Sequence, residues 1–378
     1  MASHLWDIEP GHLYLNFAGH AVRPKTVVRA IERATGYLVH PERLGDSEVL
    51  GVAERTRAGI AALIGADPDD LVLTTGASAG MASAALAMDW RAEDEVVYSR
   101  SDFPAHHACW EPLVSRYGIR LRDVDAGDIW PTTDAIVAAI GRRTRIVSLS
   151  HVRFDDGSAL DVPAISRACQ RAGALLLLDV SQSCGALPNQ VGSLGADILV
   201  CAGYKYLLGP WGAGFTWLSR RAQACFLAMP GAWIAQGATR FDQLQYLAPT
   251  LTSTARRLDS PENATATNLN LSAFEAGTDT VSSLGIHHVA AHVHALTDQL
   301  MTEAGPGIDW VSPRMASARG PFVCLRGRSP EHIREVYTRL RERNVFVALR
   351  NERIRVAPYL THTAQDMSLL AEILRNEY

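Results

Sequence analysis

The feature that most constrains this chain is the run Ala174-Leu175-Leu176-Leu177-Leu178-Asp179. Five apolar residues in succession leave no polar face. Preceded by Gly173 and closed by a carboxylate, so short a run reads as a strand buried on both faces. Such a strand needs paired strands beside it and helices above and below. The surrounding sequence supplies both. Strands are predicted over Leu71 to Thr74, Glu95 to Ser99, Ile119 to Val124, Arg145 to Ser150, Asp197 to Ala202 and Ala213 to Leu218. Helical patterns fall between them at Pro24 to His40, Ser47 to Ile64 with Ser47 as cap, Ser78 to Trp90, Ala105 to Tyr117, Thr132 to Ile140 and Val162 to Ala172. The alternation predicts an α/β fold with a mostly parallel sheet flanked by helices.

From Phe241 to Asn270 this pattern breaks into a polar stretch, read as a long loop or interdomain crossing. Helices follow at Leu271 to Gly285 and His287 to Ala304. Then come Phe322 to Leu325, a helix from Pro330 to Arg343, strands Val345 to Leu349 and Ile354 to Val356, and a helix from Ala364 to Glu377. This predicts a smaller α+β domain. The expected division is an N-terminal arm at residues 1–14, a large domain at 15–250 and a small domain at 251–378.

Charge and composition exclude several functions. The net charge is −4, which gives no basic surplus for nucleic acid. No apolar run approaches the roughly 20 residues of a membrane span. The start MASHLWDIEPGH has neither a basic lead nor an apolar core, so no signal peptide is expected. The six cysteines form no CxxC pair and lie in mostly apolar surroundings, which predicts buried, reduced thiols and a cytoplasmic location. His288 and His292 lack the intervening glutamate of HExxH, and no metal site is expected.

Of the 36 basic residues, only Lys25 and Lys205 are lysines. Arginine has taken every other position where a positive charge suffices. A retained lysine is then a candidate amine, because arginine does not give up its proton. Lys25, after Pro24 at a helix start, reads as a solvated surface residue. Lys205 ends a strand and precedes the glycine-rich turn Leu208-Gly209-Pro210-Trp211-Gly212, where α/β proteins place ligands. Burial there would lower its pKa. Asp179 ends the central strand and could hold a proton on a ring nitrogen. Gln182 could donate to a ring oxygen. The small residues of Thr74-Thr75-Gly76-Ala77-Ser78-Ala79-Gly80 lead from a strand into a helix and suit an anion at the helix N-terminus. Phe103, in Ser101-Asp102-Phe103-Pro104, could stack on a flat ring. Arg355 is a lone charge in an apolar strand, and its fork suits a carboxylate.

The combination LLLLDVSQSCGALP and LGADILVCAGYKYLLGPWGAG, with the aspartate 26 residues before the lysine, resembles fold-type I pyridoxal-phosphate enzymes of the class V aminotransferase superfamily. The resemblance covers about residues 12–375. SDFP, YKYL and IRVAP are most similar to kynureninases. It implies a large domain with a seven-stranded, mostly parallel sheet and pyridoxal 5'-phosphate as cofactor. It further implies that Lys205 forms the Schiff base and moves the Cα proton, and that Asp179 pairs with the pyridinium nitrogen. Gln182 would contact the ring hydroxyl, Phe103 would stack on the ring, and Ala77, Ser78 and Tyr204 would hold the phosphate. Arg355 would grip the substrate α-carboxylate, with Asn16, Phe17, Ala18, Gly19 and His20 lining the substrate side. A homodimer with the site near the subunit interface is implied as well.

Departures from the pattern bear on the reaction. Cysteine desulfurases carry a persulfide-forming cysteine shortly before the final arginine strand, whereas Val345 to Arg355 contains none. Phe154 stands where desulfurases place an asparagine. The R-F-E-x-G-T stretch of many relatives, which reaches the partner's phosphate, corresponds here to Arg256-Arg257-Leu258-Asp259-Ser260-Pro261-Glu262-Asn263 without the Gly-Thr pair. The leading expectation is a C–S β-lyase acting on an S-cysteine conjugate, as in enzymes of lincosamide-type antibiotic pathways. The alternatives are decarboxylation with deamination to an aldehyde, aminotransfer or epimerisation, and a cofactor-binding protein without catalysis.

Overall fold

The computed structural model describes residues 2–125, 130–227, 231–238, 240–259 and 268–378. The chain opens with β1 (Leu13–Tyr14) and then builds β2 (Leu71–Thr74), β3 (Glu95–Tyr98), β4 (Arg120–Asp123), β5 (Thr144–Ser150), β6 (Leu175–Asp179), β7 (Ile198–Ala202) and β8 (Gly214–Leu218). These last seven form one sheet in the order β2-β8-β7-β6-β5-β3-β4. Strand β8 runs antiparallel to both of its neighbours, and the other pairings are parallel. The leucine run sits near the middle as β6, buried on both faces.

The two faces of the sheet separate by strand alternation. Leu176, Leu178, Leu199 and Cys201 pack with Ile60, Ile64, Ile165 and Cys169 of helices Gly51–Ile64 and Val162–Ala172. Leu175, Leu177, Ile198 and Val200 pack on the other side with Met81, Ala84 and Leu113 of helices Ala77–Ala87 and Glu111–Tyr117.

A second layer follows, with β9 (Asp309–Trp310), β10 (Val323–Arg326), β11 (Val345–Phe346), β12 (Ala348–Arg350) and β13 (Arg353–Val356). Four of these form an antiparallel sheet in the order β12-β13-β10-β9. Helices Ile286–Glu303, Pro330–Glu342 and Ala364–Glu377 bury Leu300, Leu340 and Leu374 against it. Strand β1 pairs with β11, so the N-terminal segment joins this second layer.

Several local expectations change. The helix expected from Ser47 divides at Leu50 into Asp46–Val49 and Gly51–Ile64, and its start is held by Glu48 Oε2 accepting from the Gly45 amide at 3.0 Å. The helix expected over Ala105 to Tyr117 ends at Ala108 and restarts at Glu111, where Pro112 occupies the first turn, a position at which no amide is needed. The strand expected over Val345 to Leu349 divides because its halves serve different sheets. Helix Asn268–Leu284 puts Leu271 and Phe274 into the core of the large layer, on the far side of the boundary expected at residue 251. Cys225 is exposed, whereas five of the thiols are buried or half-buried.

Arg57 and Asp259 tie the polar crossing to the large layer. Arg57 Nη2 donates to Asp259 Oδ2 at 2.8 Å, Nη1 donates to the Leu71 carbonyl at 2.5 Å, and both side chains are almost fully buried. Arg57→Met strands a buried carboxylate and should cost about 3–5 kcal/mol. Arg57→Met combined with Asp259→Leu should recover most of that loss, measured by urea unfolding of the three proteins side by side.

Candidate active site

The parallel strands β2, β3, β5, β6 and β7 end at one edge of the large sheet, and the expected site residues gather there. Asp179 closes β6, and its Oδ1 accepts from the Ser181 amide at 2.7 Å. No hydrogen bond reaches Oδ2 among the described residues, which leaves that oxygen for an incoming donor. The Asp179 carbonyl accepts from the His151 amide at 2.9 Å, so β5 fixes the carboxylate's backbone.

Lys205 follows β7 and is buried. Its Nζ forms no ion pair or hydrogen bond among the described residues. It lies 5.7 Å from the Phe103 ring centre and 5.8 Å from that of Tyr204. Burial pushes the amine pKa down, the Asp179 charge pulls it back up, and Arg355 adds to the lowering. The net direction is downward, which frees a larger fraction of neutral amine at neutral pH. Gln182 is buried with an unpartnered Oε1.

Opposite this cluster, the turn after β2 enters helix Ala77–Ala87. Gly76 has φ +152°, a value closed to most side chains, and no side chain caps the helix. A Cβ on Gly214 would lie 2.8 Å from Gly76 Cα, so the glycines let the turn lie flat against β8. The first amides of the helix, with the exposed Ser78, are open to an anion.

Phe103 stands at the edge with its ring edge-on to Phe154, at 5.7 Å and 87°. Asp102, buried behind it, accepts from the Phe103 amide at 2.6 Å and from Ser150 at 2.6 and 2.7 Å. Tyr204 lies flat on Trp211, 3.8 Å away at 10°. Trp211 Nε1 in turn donates to His20 Nδ1 at 2.9 Å, which places the His20 proton on Nε2.

The N-terminal segment requires a correction. Strand β1 and its continuation alternate, with Leu13, Leu15 and Phe17 turned into the core. Phe17 stacks on Tyr359 at 5.0 Å, and Ala18 is equally buried, so neither side chain lines a substrate space as expected. Asn16 points the other way and accepts from Arg355 Nη2 at 3.4 Å. A Cβ on Gly19 would lie 2.5 Å from Asn16 Oδ1, so Gly19 lets the turn close over that amide.

Arg355 is 2% exposed, yet no carboxylate pairs with it among the described residues. Its Nη1 donates to the Phe154 carbonyl at 2.7 Å, its Nε has no partner, and its guanidinium lies 5.3 Å from the Phe322 ring centre. A buried guanidinium held only by neutral oxygens is a receptor for a carboxylate.

The sequence names Asn16 and Phe154 near the site but not the contact of Asn16 with Arg355 or of Phe154 with Phe103, and it does not single out Trp211 as a working part. The signal for Trp211 was only an aromatic in a glycine-rich turn. Ser260 to Asn263, part of the stretch that corresponds to the relatives' partner-phosphate contact, lie outside the described residues. No group of three metal-ligating side chains occurs among the described residues.

The donor set suits a planar phosphorylated cofactor with a ring nitrogen. It comprises a lysine amine, an open carboxylate oxygen, an unpartnered amide oxygen, an aromatic face and a glycine-lined helix start. Comparisons agree with that fit. The sequence profile of the family described as Aminotransferase class-V matches residues 13–366. The chain is 26% identical to the uncharacterized aminotransferase YcbU of Bacillus subtilis (strain 168), over 94% of this chain and 92% of that one. It is 28% identical to a probable cysteine desulfurase of Methanothermobacter thermautotrophicus, over 76% of this chain and 71% of that one. Its fold matches the cystine C–S lyase C-DES in complex with cysteine persulfide, with a TM-score of 0.85 and 21% identity, over 97% of this chain and 98% of that one. Matched from β1 into its last helix, the chain belongs to the class-V aminotransferase family, has the fold-type I architecture and takes pyridoxal phosphate as its cofactor.

Proposed function

We propose that the protein is a C–S lyase that cleaves the Cβ–S bond of an S-substituted cysteine and releases the sulfur as a free thiol. One observation carries this reading: among the described residues, no exposed cysteine belongs to the cluster of site residues, and the half-buried Cys109 thiol is engaged with the Ala105 carbonyl. Cys324 lies directly across from Arg355 in the β10–β13 pair and is fully buried. Cys184 and Cys201 are buried in the large core. Cys225, the exposed one, ends the helix after β8, at the opposite edge of the sheet. A relative named as a cysteine desulfurase supports chemistry on a cysteine side chain.

Bound here, pyridoxal phosphate supplies an electron sink that weakens the bonds at the substrate Cα. The chain supplies the rest. Arg355 and Asn16 hold the α-carboxylate. Asp179 keeps the ring nitrogen protonated through its open Oδ2. The neutral Lys205 amine takes the Cα proton, and its ammonium form returns a proton to the departing thiolate. The three-carbon enamine then takes up water and yields pyruvate and ammonia, so atoms and charge balance. A carboxylate held by a buried guanidinium is stabilised in its charged form, which works against the decarboxylating alternative. The relative named an aminotransferase, matched along 94% of this chain, supports amino transfer as the second reading. A homodimer belongs to the same proposal.

Three outcomes test these assignments. Purified holoenzyme with S-ethylcysteine should form ethanethiol, pyruvate and ammonia in equal amounts, read by mass spectrometry; aminated cofactor together with a keto acid still carrying sulfur would establish amino transfer instead. Borohydride reduction followed by peptide mapping should place the cofactor's mass on the Lys205 peptide and leave Lys25 unlabelled. Arg355→Lys should raise KM about tenfold or more while the cofactor absorbance is retained, because the forked pair of hydrogen bonds is lost.

A further inference from the structure

The small sheet carries an arginine row that the α-carboxylate does not use. Arg350 pairs with Arg353 across β12 and β13, and Arg353 pairs with Arg326 across β13 and β10. Residues directly opposite in an antiparallel sheet project from the same face, and like charges so placed repel. Arg355 lies two residues beyond Arg353 on β13, so it shares that face, about 7 Å along the strand. The row is thus continuous with the residue assigned to grip the substrate.

In front of this face lies a cleft of about 680 Å³ between the two layers. It is lined by Arg326, Arg328 and Arg353 of the small layer and by Arg100 and Arg153 of the large one. Three carboxylates also line it, and each is engaged. Asp155 accepts from Arg153 at 3.0 Å and from Arg353 at 3.3 Å. Asp125 accepts from the Ser101 amide at 2.6 Å. Glu352 accepts from Arg334, outside the lining, at 2.9 Å. The Arg326 and Arg328 guanidiniums have no partner among the described residues. The cleft also borders the site: Asp155 follows Phe154, whose carbonyl holds Arg355, and Ser101 lies two residues before Phe103.

We propose that this cleft binds the distal part of the substrate and selects one that ends in a carboxylate, seated between Arg326, Arg328 and Arg353. The inference rests on the C–S lyase reading for the sulfur-containing half of the substrate. The distal anion would neutralise the repelling row and bridge the two layers.

The test uses thioether acids that lack the α-amino group and therefore cannot react. Holoenzyme is titrated calorimetrically with thiodipropionate, which has two carboxylates, and with butylthiopropanoate, which has one. The dicarboxylate should bind about tenfold more tightly or better, as expected for charge-assisted hydrogen bonds. In the double variant Arg326→Gln/Arg328→Gln, checked for retained cofactor absorbance and melting temperature, the two ligands should bind alike. A single Arg328→Gln variant, remote from the sheet pairing, should show an intermediate ratio. Equal affinities in the unaltered protein, or a preference that survives the double substitution, would overturn the proposal. Preferential binding without pyruvate formation from any S-substituted cysteine would retain the anion cleft and overturn the lyase reading. Pyruvate formation without the preference would do the reverse.

Discussion

A buried amine beside a buried carboxylate sets the terms for the large layer. Lys205 and Asp179 end adjacent parallel strands, and the leucines beneath them hold water away. Desolvation disfavours the ammonium, and the neighbouring Asp179 offsets part of that cost. The balance tips the amine toward neutrality, while the Ser181 amide donates to Asp179 Oδ1 and fixes the carboxylate in place. Two chemical roles that conflict in water, an acid's conjugate base and a free amine, thereby coexist in one small volume. The leucine run that forces the central strand is also what makes this coexistence possible.

Arg355 is the counterpart in the small layer. A guanidinium so deeply buried without an anion is costly, and the Phe154 and Asn16 oxygens relieve only part of that cost. Among the described residues, Lys205 in the large layer and Arg355 in the small one are thus each buried without a hydrogen-bonded anion. Both layers are needed to assemble the site, which explains why the N-terminal segment crosses from the small layer to the large one at Asn16 to His20 and brings Asn16 onto Arg355.

Much of this was legible in the sequence. Asp179 ends an apolar strand, Gln182 and Lys205 lie three residues beyond the ends of apolar strands, and Arg355 lies inside one; such misfits are conspicuous without coordinates. The order of strands and helices followed from apolar periodicity. Details governed by tertiary partners were not legible. Phe17 sits in a segment that does reach the site, yet period-two alternation turns its ring into the core. Trp211 meets Tyr204 face to face, and a stretch of glycines and prolines does not specify that geometry. The break at Cys109 and Trp110 follows from Pro112 and from the need to bury Trp110, a competition that helical periodicity does not report. The arginine row across β12, β13 and β10 exists only through strand register, which is not written in any one segment.

Strand β1 has a consequence for the order of assembly. Its partner β11 lies about 330 residues further along the chain, and Asn16 bridges to Ala357 beyond that. At a synthesis rate on the order of 5–20 residues per second, the N-terminal strand waits roughly half a minute for its partner. Every strand of the large sheet lies before Ser219, so that sheet can form during that interval. The small sheet closes last, and with it the contact between Asn16 and Arg355. A nascent or truncated chain can therefore own a complete lysine pocket while still lacking the arginine that selects its substrate.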